Sequence, residues 1–239
     1  EKKIINNEHI IGGFTKNCSK QASDFYLKFL TKKIVQTTCQ LAELVKLSEN
    51  AYRDVNIAFA NELCKISSES NQNIWEVIKL SNLHPRVNIL EPGIGVGGHC
   101  LPIDPWFLIP SQQKNSSSVI RASRHLNDEI PSIIASKILK LILENRDRKL
   151  YEYDVTILGY TYKANSIDKR DSPALNIIKI LESFSVKLFA YDPFWDDLDE
   201  KDIENKIKNS LLKFCFVSHE KLRRISERNN VIPWQDLII

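Results

Sequence analysis

Residues 92–100, PGIGVGGHC, place four of the chain's seven glycines directly before a cysteine. Glycines at 93, 95, 97 and 98 permit positive φ and let backbone approach a ligand closely. Several N–H groups can then converge on one small volume. A cysteine beside such a nest has its thiolate favoured and an oxyanion site at hand. Cys100 is therefore the candidate nucleophile, whereas Cys18, Cys39, Cys64 and Cys215 read as ordinary small apolar residues. His99-Cys100 does not read as a zinc pair, because adjacent residues lack ligand spacing and no second pair exists; no metal is expected. Nor is the glycine run a dinucleotide fingerprint, since the proline-rich CLPIDPWFLIP follows it instead of a helix. Asp104, four residues after Cys100, can orient the cysteine or a water, or cap the turn before Pro105. Lys46 and Asn50 stand i,i+4 with Arg53 at i+7, so they share one helical face. That stripe is either solvated or one wall of a site.

Several elements must hold these groups. Residues 4–14 read as a strand closed by a glycine pair, 16–32 as a helix and 33–38 as a second strand: a β-α-β piece too small to bury its own core. Residues 39–70 contain no Gly or Pro and carry apolar positions at spacings of three and four, which predicts a long helix. A second helix over 73–82 ends before His84-Pro85. SQQKNSSS, 111–118, reads as a polar loop capping a helix over 117–147, with a kink expected at Pro131. YDVTILG (153–159), a helix opened by Ser172-Pro173, and VKLFAYDP (186–193) form a Rossmann-like βαβ unit with a right-handed connection. KFCFV (213–217) reads as one more strand, and 219–239 has no clear pattern.

The whole chain has 239 residues, enough for one large or two modest domains at ~100–200 residues each. It is 43% hydrophobic and 26% charged, which excludes a disordered chain. Thirty-three Lys and Arg against 30 Asp and Glu leave a formal charge of only +3, so no nucleic-acid partner is expected. No apolar run reaches the ~18 residues of a membrane span. Five scattered cysteines without a CxxC point to reduced thiols in the cytoplasm. The chain starts at Glu1 and contains no Met, and it reads as part of a longer polypeptide.

Three long segments occur in a telling order: AELVKLSENAYRDVNIAFANEL, then HPRVNILEPGIGVGGHCLPIDPWF, then ILGYTYKANSIDKRDSPAL with YDP after it. Together they resemble the UDP-glucose/GDP-mannose dehydrogenase family over about residues 1–195 and weakly over 205–232. The HPRVN and DPWF versions look most like members acting on UDP-N-acetyl-D-mannosamine. The resemblance implies oxidation of a nucleotide sugar's C6 alcohol to a carboxylate, with NAD as cofactor and a cysteine thioester on the way, in surface polysaccharide precursor synthesis. It puts Cys100 in the nucleophile role, Lys46 and Asn50 beside the reacting oxygen, and Asp104 near the hydrolytic water. Arg53, His84, Arg86, Gly97, Tyr162, Lys163 and Arg170 become substrate contacts, with His84 and Arg86 reaching a neighbouring subunit's site. Cofactor-binding residues are not identified, because the family's GxGxxG turn is missing and the strand end at Gly159 leads into YTYKAN.

The implied architecture is α/β. Residues 1–38 are a remnant of an NAD-binding domain, 39–147 a helical catalytic and dimerisation domain, and 148–239 a Rossmann-like UDP-sugar-binding domain, with the long helix as the joint. A homodimer or larger homo-oligomer is expected. Two alternatives stand beside this. One is a non-catalytic remnant that folds, dimerises and at most binds UDP-sugar; a glycine fingerprint upstream of Glu1 would argue against it. The other is a hydroxyacid dehydrogenase with Lys-x-x-x-Asn on a helix, which needs neither the cysteine loop nor the YTYKAN segment.

Overall fold

The computed structural model describes residues 7–110, 118–145 and 151–237. Strand β1 (His9–Gly13), helix α1 (Lys16–Tyr26) and strand β2 (Ile34–Thr38) form the expected β-α-β piece, with Gly13 opposite Thr38 in a parallel pair. Thr38 then caps α2 (Cys39–Glu69), its side chain accepting the Leu41 N–H at 3.2 Å. At 1.5 Å per residue, the 31 residues of α2 extend about 46 Å. Helix α3 (Ile74–Ser81) starts at Asn73, whose Oδ1 accepts the Trp75 N–H at 2.9 Å and the Glu76 N–H at 3.3 Å. Short α4 (Asp104–Phe107) follows the glycine loop.

Helix α5 (Val119–Glu144) is capped by Ser118 and continues through Pro131. The rest of the polar loop expected before it lies outside the described residues. The N-terminal half of α5 packs on α2. Its Ile130, Ile134, Ile138 and Ile142, four residues apart, enter the core against the helix Pro173–Ser183 and the parallel sheet that follow. One helix thus packs on α2 at one end and in the carboxyl-terminal core at the other.

Beyond it come β3 (Tyr153–Leu158), α6 (Pro173–Ser183), β4 (Leu188–Tyr191), α7 (Glu200–Lys208), β5 (Ser210–Cys215), α8 (Arg223–Arg228) and β6 (Ile232–Pro233). All pairs are parallel, in the order β4-β3-β5-β6. Both faces are covered, as buried parallel strands require: α5 and α6 on one side, α7 and α8 on the other. The order reverses between β3 and β5, so the crevice beyond their carboxyl ends is the place for a ligand.

Three expectations need correction. The strand expected at 213–217 is β5, Ser210–Cys215, set by its register with β3: Tyr153 faces Ser210 and Leu158 faces Cys215. Ser172 occupies the N-cap position of α6 but makes no capping bond, and its buried Oγ has no partner among the described residues. Helix formation there rests on Pro173, whose φ is already helical. The unplaced carboxyl-terminal stretch folds back on the helices: Trp234 meets Trp75 edge to face at 6.1 Å, and Lys137 Nζ donates to the Leu237 carbonyl at 3.2 Å.

Candidate active site

The glycine loop lies between α2, α5 and the segment joining β3 to α6. Gly98 donates its N–H to the Arg170 carbonyl at 3.2 Å and adopts φ +91°, a conformation that suits glycine. A Cβ on Gly97 would stand 2.6 Å from Pro173 Cδ and 2.7 Å from the Asp171 carbonyl. Only a bare backbone lets the loop and the 162–173 segment meet this closely. Gly97 and Tyr162 are thereby brought together, with the Tyr162 ring beside Gly98.

Half-buried Cys100 follows at once. Its carbonyl accepts the N–H groups of Ile103 at 3.0 Å and Asp104 at 2.8 Å, a turn that feeds directly into α4. The Asp104 carboxylate does not cap this turn; it accepts from Asn50 Nδ2 of α2 at 2.5 Å, across 54 positions of sequence. Asn50 is thereby tied, through Asp104, to the turn that begins at Cys100, and the choice left open for Asp104 falls to the long-range partner.

Arg170 closes the other side. Asp168 grips its Nε and Nη2, the shorter contact being 2.6 Å, and His99 Nδ1 lies 3.4 Å from Nη2. Hydrogen bonding from Arg170 holds the Asp168 carboxyl down at about 2, and Asp168 in turn raises the guanidinium, with Tyr162 and Cys100 adding in the same direction. Lys163 Nζ sits 5.4 Å from the centre of the Tyr162 ring. Trp195 braces this segment through an indole N–H to the Ile167 carbonyl at 2.8 Å, with Lys169 Nζ over its ring at 3.5 Å.

Other expected residues stand apart. Lys46 pairs with Glu49 at 3.2 Å and is 65% exposed; with Arg53 it lines an open groove along α2, beside Leu44, Asn50 and Tyr52. His84 and Arg86 are exposed beyond α3, where His84 Nδ1 accepts the Arg86 N–H at 3.3 Å. The segment after them is clamped to α2 by Asn56, which accepts the Leu90 N–H at 2.8 Å and donates to the Asn88 carbonyl at 3.0 Å. No group of three or more His, Cys, Asp or Glu side chains among the described residues could hold a metal.

Two buried polar clusters were not foreseen. In the first, Asn61 accepts the Gly93 N–H at 2.8 Å and donates to Asn127 at 3.1 Å; Asn127 donates to Asp54 at 2.9 Å, and Arg124 Nη1 donates to the same carboxylate at 2.5 Å. Arg124 also contacts Asp128. Burial pushes the Asp54 carboxyl up, and Arg124 offsets this only in part. The signal was present: Asn50, Asp54, Ala58 and Asn61 fall on one face of α2, and all are buried. The second cluster gathers Asp192, Thr161 and His219 at the carboxyl ends of β3, β4 and β5. Its members lie far apart in sequence, and no spacing links them.

Comparison with known proteins shows the family. The UDP-glucose/GDP-mannose dehydrogenase family's central domain matches residues 40–129, and its UDP binding domain matches residues 156–227. A UDP-N-acetyl-D-mannosamine dehydrogenase of Methanococcus vannielii is 39% identical over 224 residues, 93% of this chain and 51% of that protein. One from Methanocaldococcus jannaschii is 45% identical over 198 residues, 82% of this chain and 44% of that protein. The structure of a UDP-D-ManNAc dehydrogenase from Pyrococcus horikoshii superposes with a TM-score of 0.79 at 37% identity, covering 95% of this chain and 55% of that one. A UDP-N-acetyl-mannosamine dehydrogenase from Staphylococcus aureus gives 0.80 at 36% identity, covering 97% and 54%. The chain spans about half the length of the curated relatives it matches. With both domain matches in the same order and the glycine-cysteine loop between the helices and the parallel sheet, this chain belongs to the UDP-glucose/GDP-mannose dehydrogenase family.

Proposed function

We propose that this chain supplies the nucleophile and the sugar-nucleotide wall of an NAD-dependent UDP-sugar 6-dehydrogenase, with UDP-N-acetyl-D-mannosamine as substrate and its uronic acid as product. The observation that supports the reading is that the loop ending in Cys100 is tied to Asn50 through Asp104 on one side and to Tyr162 and Arg170 through Gly97 and Gly98 on the other. The choice of sugar rests on the HPRVN and DPWF segments and on the names of the relatives.

In this reading residues 1–38 belong to a dinucleotide domain, 39–147 carry the chemistry and the dimer contact, and 148–239 bind the UDP moiety. NAD⁺ supplies the two-electron acceptor when bound. The described residues form no glycine-fingerprint turn before a helix that could cradle its pyrophosphate, so no position is assigned to it here. Cys100 Sγ adds to the C6 carbonyl carbon once the sugar is at the aldehyde level, and a proton ends on the oxygen. After oxidation of that adduct to a thioester, water adds and the C–S bond breaks. The carboxylate departs and the thiol recovers its proton, so one difficult conversion becomes two easier ones.

Asn50 and Asp104 orient water and the reacting oxygen. The exposed Lys46 ammonium offers positive charge to the developing oxyanion. Arg170 and Lys163 face the diphosphate, Arg as a forked donor and Lys as a point charge. Arg53 adds a cation beside Asn50, while His84 and Arg86 work in the site of a second copy. That copy covers the exposed Leu41, Leu44, Tyr52 and Phe59 of α2. The enzyme works in the cytoplasm on precursors of surface polysaccharide.

Calorimetric titration of the chain with UDP-N-acetyl-D-mannosamine, UDP-glucose and free UDP tests the binding part. Tighter binding of the first, weakened in Arg170→Ala, is expected. Equal affinity for the two sugars would remove the substrate assignment, and no response to Arg170→Ala would remove the wall.

A further inference from the structure

We propose that His219 and Asp192 are positioning residues: a buried latch that fixes the 160–165 turn and so sets the affinity of the Tyr162–Lys163 wall for a nucleoside diphosphate they do not touch. The inference rests on the substrate site proposed above.

The turn leaves β3 at Gly159 and must present Tyr162 to the glycine loop. Little of its own chain holds it. Its own internal bond is Thr161 Oγ1 to the Lys163 carbonyl at 3.1 Å, and just downstream the Asp168 carbonyl accepts the Tyr162 N–H at 3.1 Å. The rest of its fixation comes from other strands. At the end of β4, Asp192 Oδ2 accepts the N–H of Tyr160 at 2.8 Å and of Thr161 at 3.0 Å. Beyond β5, His219 Nδ1 accepts the Asn165 N–H at 3.0 Å, and Asn165 Oδ1 accepts the Glu220 N–H at 3.0 Å in return.

These bonds fix the imidazole tautomer. Nδ1 is an acceptor, so the ring proton sits on Nε2, which lies 3.0 Å from both Asp192 Oδ2 and Thr161 Oγ1. Since Thr161 Oγ1 spends its own hydrogen on the Lys163 carbonyl, it meets Nε2–H as an acceptor, and every donor in the cluster has a place to go. Both side chains are buried, with His219 1% and Asp192 0% exposed. The latch therefore acts through backbone placement, the kind of support that holds a binding wall to sub-ångström geometry.

Two variants each keep half of the ring's bonds. His219→Gln carries an amide N–H at the reach of Nε2 and leaves the Asn165 N–H without its acceptor. His219→Asn keeps an acceptor at the reach of Nδ1. Amide hydrogen exchange and calorimetry with free UDP are read on the same chain. In His219→Gln, exchange at Asn165 should quicken by about tenfold or more, while Val155, Ile157 and Phe214 in the strands keep wild-type protection. UDP affinity should fall by roughly tenfold. His219→Asn should restore protection at Asn165 and recover part of the affinity.

Unchanged exchange at Asn165 in His219→Gln would overturn the latch. So would quickened exchange spread over the whole sheet, which would mark a merely structural role. Unchanged UDP affinity alongside a loosened turn would sever the turn from the ligand and overturn the proposal. Failure of the wild-type chain to bind UDP at all would count against the substrate site, and the latch would then be judged on exchange alone.

Discussion

The two faces of α2 behave as different materials. One face carries Asn50, Asp54 and Asn61, all buried, and each bonds to a group far away in sequence: Asp104, Arg124 and Gly93. The exposed Lys46, Arg53, Leu44 and Tyr52 instead border an open groove that Asn50 also reaches, with Glu49 as the only ion-pair partner of Lys46 among the described residues. The inner face fixes where the glycine loop begins and where it ends, since Asn61 holds Gly93 and Asn50 holds Asp104. Cys100 lies between those two anchors. The groove side carries exposed charge and exposed apolar area. Preorganisation on one side of a helix and availability on the other are what a covalent catalyst needs from its scaffold.

The sharpest way to break this contrast is Asp54→Ala. It takes from the Arg124 guanidinium, 1% exposed, its buried carboxylate and leaves it Asp128 alone, and should cost about 3 kcal/mol in urea unfolding. A loss below about 1 kcal/mol would show that the inner face is not the rigid one. Acid comes next and probes the carboxyl-terminal latch. Burial works against the Asp192 charge, yet hydrogen bonds from His219 and from the Phe194 and Tyr160 N–H groups outweigh it and bring the carboxyl to about 2. Because the folded value lies below the unfolded one, the stability it adds is complete above the ordinary carboxylate range. It is lost as pH falls toward 2, amounting to about 2 kcal/mol. In Asp192→Asn that part of the acid limb should be missing from a urea–pH surface. Asp168 titrates in the same window but is paired at the surface, so its share is smaller.

Asn61→Ala should cost about 1–3 kcal/mol by taking from the Gly93 N–H its acceptor and from Asn127 Oδ1 its donor, and should speed amide exchange at Gly93. On the outer face, Lys46→Gln should move the unfolding midpoint by less than about 0.5 kcal/mol, because its ion pair is exposed on both sides. A cost comparable to that of Asn61→Ala would erase the distinction between the faces.

Much of this was legible from local pattern. The glycine-cysteine loop, the uninterrupted helix after Thr38, and the Pro173 helix start are signals confined to a few residues, and each lies where it was read. The β-α-β piece at the amino end was also visible as pattern. What escaped was long-range. Asp104 could cap a turn or reach elsewhere, and only the approach of α2 decides for Asn50. His219 sits in a stretch without periodicity, and its partners lie beyond the ends of two other strands, β3 and β4. Of the Asn50-Asp54-Asn61 stripe only Asn50 stood out, through its spacing from Lys46 and Arg53. Buried polar residues in an apolar stripe are satisfied by partners that sequence spacing cannot name.

The central claim is that Cys100 is a nucleophile toward a C6 aldehyde held by this fold. Incubation of the chain with UDP-N-acetyl-D-mannosamine 6-aldehyde labelled with ¹³C at C6 tests it directly by NMR. The account predicts a tetrahedral carbon signal of a thiohemiacetal, distinct from the aldehyde hydrate, present in the wild type and in Cys18→Ser but absent in Cys100→Ala. The same spectrum from wild type and Cys100→Ala would contradict it.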